Sequence, residues 1–397
     1  PPRNWRLCRM KDAGALQGII CPGGDWDARD WLTRTEGSFR ARERNRSDTA
    51  AILFTGGTTG LPKGVELSQE NITVSSHNVS YSERSIETDR ALCFLPFNHV
   101  FGQIHIMNAT IFSGGCLELL PAFDLDRVLE ILATGRITKF FAVPTVYLRL
   151  LTLDGLSERL AGVRYFFSAA ASLAAEVVRE WQERTGRPIY EGYGLTESAA
   201  AVTYNHYLRH RIGSVGEAVP GVEVEIRDLE GRRVESGLVG EICIRGRNIM
   251  TGYLNNPEAT AAVFWEEGWF RSGDLGFLDP DGYLVIVDRL KELIITGGEN
   301  VYPREVEEVL YARPEIQECA VIGLPDREWG ERVVAFIVLI PGHSQAPEDL
   351  KSFLRARLSP YKVPKEFIVV RELPKSPAGK ILKRALKRPI SGYGNKR

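Results

Sequence analysis

Between Asp89 and Tyr193, short runs of β-branched and aromatic residues alternate with stretches in which apolar residues recur every three or four positions. The runs Ala91–Leu95, Cys116–Leu120, Lys139–Val143, Arg164–Ser168 and Pro188–Glu191 predict strands. Between them, Leu125, Val128, Leu129 and Leu132, then Leu173, Val177, Val178 and Trp181, have the spacing of helices with one apolar face. Strand and helix in alternation predict β-α-β units and a mostly parallel sheet, hence an α/β fold.

From Gly213 to Asp288 the texture changes to short strands broken by Gly, Pro and Asp, such as Val222–Ile226 and Gly240–Arg245, which predict antiparallel ribbons. After Asp288 the predicted order is strand Glu292–Ile295, helix Pro303–Ala312, strands Ala320–Gly323 and Val333–Leu339, helix Glu348–Leu358 and strand Glu366–Val370. That is a small α+β unit. The expected organisation is a large domain over residues 1–288, with an antiparallel β subdomain, and a small one over residues 289–397.

Composition narrows the function classes. With 397 residues and 44% hydrophobic content, the chain can bury more than one core. Lys and Arg number 50 against 51 Asp and Glu, a net charge of -1, so no global field draws it to nucleic acid or anionic lipid. The basic stretch Arg40, Arg42, Arg44 and Arg46 has no interleaved aromatics and reads as a solvated loop. Six scattered cysteines without CxxC spacing read as free thiols in a reducing compartment, and no apolar run reaches the ~18 residues of a membrane span. The expected location is cytoplasmic.

Local motifs must then carry the chemistry. Residues 55–64 read T-G-G-T-T-G-L-P-K-G directly after the strand-like run Ala50–Phe54. Glycines let backbone N–H groups turn inward around an anion, Thr55, Thr58 and Thr59 add hydroxyls, and Lys63 adds a positive charge. A polyphosphate loop is expected from Thr55, Gly56, Gly57, Thr58, Thr59, Gly60 and Lys63, and its spacing is not that of a Walker loop.

This loop resembles the signature of the acyl-adenylate-forming superfamily, which includes acyl-CoA synthetases, peptide-synthetase adenylation domains and beetle luciferases. Gly56 stands where that family often has Ser. Further segments with similar motifs follow in the family's order. Glu191-Gly192-Tyr193-Gly194-Leu195-Thr196-Glu197 resembles the segment in which the aromatic stacks on adenine, the threonine meets the α-phosphate and the glutamate helps hold Mg²⁺. Trp269–Asp274 and Asp288–Lys291 resemble those whose aspartate and arginine, here Asp274 and Arg289, grip the ribose hydroxyls.

Leu373–Ile381 is similar to the motif carrying the family's adenylation lysine, which makes Lys380 the candidate. A cation there would stabilise the charge that builds as a carboxylate attacks the α-phosphate. The resemblance also implies a hinge at Lys291. Thr296–Pro303, with Gly298, would then swing in to line a pantetheine tunnel once the small domain rotates. His99, in Leu95–Gly102, matches a gating position beside the acyl carbonyl; a buried structural histidine is the alternative.

The implied activity is ATP-dependent ligation of a carboxylic acid to coenzyme A through an acyl-adenylate. Asn98, His99 and Val100 offer no carboxylate to pair with an α-ammonium group, which argues against amino acids. Alanines in Ser168–Ser172 and the apolar Phe101, Ile104 and Met107 suggest a fatty or aryl acid. Delivery to a carrier protein stays open, as does a homodimer. Residues 1–47 are fewer than family members carry before the loop, so a fragment of a longer enzyme and a shortened nucleotide-binding homologue both stay open.

Overall fold

The computed structural model describes residues 43–55, 62–171, 173–340, 342–343, 346–375 and 381–387, all but the first three in the compact unit that begins at Arg46. Strand β1 (Thr49–Thr55) forms a hairpin with β2 (Lys63–Ser68), and helix Gln69–Ser82 follows. Ser68 and Asn71 start that helix with a reciprocal capping box, each side chain accepting from the other's backbone N–H.

The alternating pattern gives a seven-stranded sheet. Its strands are β3 (Arg90–Cys93), β4 (Cys116–Leu119), β5 (Lys139–Ala142), β6 (Tyr165–Ser168), β7 (Ile189–Tyr193), β8 (Thr203–Tyr204) and β9 (Glu217–Ala218), in the order β4-β3-β5-β6-β7-β8-β9. The first five are parallel and the last two antiparallel. Strands β5 and β6 are buried along their whole length, as expected of a sheet covered on both faces. Helix Ala175–Thr185 turns Val177, Val178 and Trp181 inward, and Gly186 closes it in the left-handed conformation.

The apolar Phe101, Ile104 and Met107 belong to residues 101–108, for which periodicity predicts no element. Residues 101–108 form a π-helix continuing into Ala109–Phe112. Gly102 is required there, because a Cβ would lie 2.5 Å from the Pro96 carbonyl oxygen.

The antiparallel ribbons are β10 (Val222–Arg227), β11 (Gly240–Gly246), β13 (Phe270–Leu278) and β14 (Leu284–Arg289), paired in that order, while β12 (Gly252–Tyr253) adds to β2. Beyond them, residues 290–292 form a 3₁₀ turn, so the strand expected at Glu292–Ile295 starts two residues later as β15 (Ile294–Thr296). With β16 (Glu299–Val301), β17 (Ile316–Asp326), β18 (Gly330–Leu339) and β19 (Glu366–Val369), it forms a separate five-stranded sheet. Alternate residues of β17 and β18 feed two apolar layers. Cys319, Val321, Val333, Ala335 and Ile337 pack with helix residues Val306, Leu310, Leu350 and Leu354. Ala320, Ile322, Val334 and Phe336 pack with Leu373 and Leu386.

Candidate active site

The carboxyl ends of β5, β6 and β7 open onto one crevice, the usual ligand position in a parallel sheet. There Gly192 leaves room for the Phe167 ring, 2.7 Å from where a Cβ would sit. At Gly194 a Cβ would lie 1.3 Å from the carbonyl oxygen of Ala200, so the chain passes here only as glycine. The turn Thr196–Ser198 is followed by Ala199 and Ala200, both at positive φ (49° and 90°). Neighbours hold this reversal in place. Ser75 Oγ donates to the Ala199 carbonyl, and Asn248 Nδ2 donates to the carbonyls of Ala201 (2.7 Å) and Ser198 (3.2 Å).

Tyr193 ends β7 with its hydroxyl donating to Asp274 Oδ2 at 2.7 Å. Arg289 Nε stands 3.1 Å from Oδ1 of the same carboxylate, directly across from it in the β13–β14 register. Burial and the neighbouring Asp274 charge both push the Tyr193 phenol above its ordinary range. The Asp274 charge also raises the Arg289 guanidinium further. Gly273 N donates to the buried Glu241 at 3.1 Å, fixing the backbone that presents Asp274.

A second constellation joins the hairpin to the turn. Thr55 and Lys63 are paired across β1 and β2, so they flank the phosphate-loop candidates Gly56, Gly57, Thr58, Thr59 and Gly60, which lie outside the described residues. Lys63 Nζ sits 4.7 Å from the centre of the Tyr253 ring, and the Tyr253 hydroxyl donates to Glu197 Oε1 at 2.9 Å. Burial, then the Glu197 carboxylate, push that phenol up. A carboxylate oxygen is the hard ligand that Mg²⁺ takes, so Glu197 could hold that ion. Thr196 opens the same turn.

Beside the first constellation lies a cavity of about 260 Å³ bordered by His99, Phe101, His105, Tyr193, Asp274 and Arg289. His99 Nδ1 accepts from the Phe101 N–H at 3.2 Å, so its ring is oriented at the start of the π-helix. Lys291 borders a neighbouring cavity instead, with Lys383, and burial, then Arg289, lower its pKa. Gly298 lies on the exposed β15–β16 turn, away from the first cavity. Lys380 lies outside the described residues.

Glu191, Asp288, Arg304 and His105 are among the bordering groups that sequence reasoning missed. Buried Glu191 accepts from the Leu173 N–H, and burial pushes its carboxyl up to about 8. Asp288 accepts from the N–H groups of Arg289 (2.7 Å) and Arg304 (2.9 Å), and burial raises its pKa. Arg304 Nη1 donates to the Ile286 carbonyl at 2.6 Å. His105 joins a buried charge cluster with Glu83, Lys139 and Asp89. Glu191 and Asp288 stood inside motifs already noted, whereas nothing local marks His105 or Arg304.

The family model described as AMP-binding enzyme matches residues 11–254, and that of the AMP-binding enzyme C-terminal domain matches residues 305–380. A long-chain-fatty-acid–CoA ligase of Bacillus subtilis (strain 168) is 41% identical over 345 residues, covering 85% of this chain and 61% of that protein. A feruloyl-CoA synthase of an Amycolatopsis species is 38% identical over 344 residues, covering 86% of this chain and 70% of the relative. ATP-bound MatB from Rhodopseudomonas palustris superposes with a TM-score of 0.92 at 36% identity, covering 98% of this chain and 77% of that one. The apo form of MatB gives 0.77. The chain thus spans 61% of the first relative's length. Its ordered motifs, both family matches and the agreement in fold together establish that the chain belongs to the AMP-binding enzyme family.

Proposed function

We propose that the chain is the adenylating part of an AMP-forming acid–CoA ligase acting on a fatty or aryl carboxylic acid. The single observation carrying this reading is the Tyr193–Asp274–Arg289 constellation at the edge of a cavity with a largely aromatic inner wall. It offers an aromatic face for a purine, and a carboxylate that can accept from two vicinal ribose hydroxyls. The cavity gives the acid a place beside the nucleotide.

In the first half-reaction an oxygen of the acid attacks the α-phosphorus of ATP, and the bond to the bridging oxygen breaks, releasing pyrophosphate. The acid is ionised at neutral pH, so no general base is required. Lys63 and the loop after Thr55 would hold the departing phosphates, Thr196 the α-phosphate, and Lys380 the charge that builds during attack. Glu197 would hold Mg²⁺, which screens the phosphate charges. In the second half-reaction the thiol sulfur of coenzyme A attacks the acyl carbonyl and AMP leaves, with His99 bordering the path. Rotation about Lys291, bringing Gly298 toward the site, would exchange the two halves, with residues 289–397 moving as a small domain. The TM-score of 0.92 with ATP-bound MatB, against 0.77 with its apo form, supports reading the present arrangement as the adenylating one.

ATP–pyrophosphate exchange across a panel of acids, followed by thioester detection with coenzyme A, tests the reading. Acid-dependent exchange and acyl-CoA formation are expected. ATP binding with no exchange for any acid would favour a nucleotide-binding homologue, and exchange with thioester only on a carrier protein would move the acceptor.

A further inference from the structure

Helix Pro303–Tyr311 packs Val306 and Leu310 onto the five-stranded sheet, yet it does not cap itself. Tyr302 stands at its N-cap without a side-chain hydrogen bond, and Pro303 brings no N–H. The Arg304 N–H is therefore the first donor there that finds no acceptor inside the helix. It is met from the other sheet. Asp288, buried near the end of β14, accepts it on Oδ2 at 2.9 Å. A carboxylate in that place also faces the positive end of the helix dipole.

The Arg304 side chain adds a second bond to the same strand. Its Nη1 donates to the carbonyl of Ile286 at 2.6 Å, while Nε is held by Glu308 at 3.0 Å, one turn further along the helix. The side chain is only 12% exposed, so water competes little for either bond. The remaining oxygen of Asp288 is bound locally. Oδ1 accepts from the Arg289 N–H at 2.7 Å, and the Arg289 guanidinium is the group that reaches Asp274. One buried carboxylate thus ties the ribose-binding candidates to the helix beyond the hinge position.

A rotation about Lys291 would not keep these bonds. Ile286 and Asp288 lie before Lys291, and Arg304 lies after it on a helix that would turn with the small domain. Both bonds then belong to the present arrangement alone. Resting on the ligase reading above, with its two half-reactions and its rotation, we infer that Arg304 is a positioning residue. With Asp288 and the Ile286 carbonyl it forms a latch that holds the small domain in the adenylating arrangement and opens before the thiol step. An interaction made in one of two arrangements shifts the balance between them and leaves the chemistry within each unchanged. A hydrogen bond from a charged donor is worth roughly 10–100-fold in such a balance.

The test compares the two half-reactions in the full chain. One is ATP–pyrophosphate exchange with the acid that the wild type exchanges fastest, and the other is single-turnover thioester formation from the supplied acyl-adenylate and coenzyme A. Arg304→Ala should lower kcat/KM for ATP in exchange by about tenfold or more, while thioester formation is unchanged or faster. The loss should lie in KM rather than kcat, because saturating ATP refills the arrangement that binds it. Arg304→Lys still donates to the Ile286 carbonyl and should recover part of the exchange. Asp288→Asn keeps one acceptor oxygen where the carboxylate engages two, and should show the same split with a smaller amplitude. Equal loss in both half-reactions, a loss confined to kcat, or exchange at the wild-type rate in Arg304→Ala would overturn the latch and leave the ligase reading intact. Absence of exchange with every acid in the wild type would instead overturn the ligase reading. Thermal melting of each variant identifies any loss that comes from misfolding, and if Arg304→Ala unfolds, the presence or absence of the split in Asp288→Asn decides.

Discussion

The hydroxyl of Tyr193 donates to Asp274 across 81 residues of sequence, at 2.7 Å, and so ties the end of the parallel sheet to the antiparallel ribbon. Arg289 holds the other oxygen of that carboxylate, so its geometry is fixed by the protein itself. A preset acceptor avoids ordering costs on binding, and charge-assisted bonds of this kind are worth about 1.5–3 kcal/mol each. Asp274→Asn should therefore raise the dissociation constant for ATP by roughly 10–100-fold in titration calorimetry. Tyr193→Phe keeps the ring and should cost about tenfold or less.

Glu197 is held by the Tyr253 hydroxyl, and Tyr253 lies under Lys63. Removing the carboxylate charge should show in metal dependence rather than in folding. We expect Glu197→Gln to raise the Mg²⁺ concentration for half-maximal exchange by about tenfold, with an unchanged melting temperature. Tyr253→Phe frees the carboxylate but removes its orientation, and should give a smaller rise.

Gly194 and Ala200 occupy one space from two sides. Gly194→Ala places a methyl 1.3 Å from a backbone oxygen and should destabilise by about 3 kcal/mol or more, read as a fall in the urea midpoint. Ala170 and Ala200 sit at positive φ (68° and 90°), where a Cβ costs ~1–2 kcal/mol. Glycine at either position should leave stability unchanged or raise it by up to about 1 kcal/mol, against the usual direction of Ala→Gly changes.

Glu191 has its carboxyl pushed from 4.5 to about 8 by burial. The folded state therefore holds a proton that the unfolded state releases, and stability contributed by this group is full below 4.5 and lost as pH rises through 8. Urea unfolding should show wild-type stability declining across that window by a few kcal/mol at most. Glu191→Gln should flatten this slope and match or exceed the wild type at the alkaline end.

Lys380→Ala should lower exchange by ~10²-fold or more, while thioester formation from supplied acyl-adenylate continues. Equal loss in both steps, measured by single-turnover kinetics, would remove the adenylation role.

Much of this molecule was legible in the chain itself. The β-α-β order followed from two periodicities, because a strand buried on both faces must be apolar throughout and a covering helix needs only one apolar stripe. Lys63 could be picked out because its Gly/Thr-rich segment has local anion-binding chemistry, whereas Tyr193, Asp274, Arg289 and Glu197 were implied by the resemblance of their short segments, taken in order, to family motifs. Tertiary structure alone decided how they meet: Tyr193 with Asp274 across two sheets, and Glu197 with Tyr253 across 56 residues. It also decided that Phe101–Asn108 winds as a π-helix, and that His105, unremarkable in its own segment, stands against Glu83 at the inner wall of the cavity. Those outcomes rest on contacts between residues far apart in sequence, where burial sets the cost of every unpaired group and local pattern carries no trace of the partner.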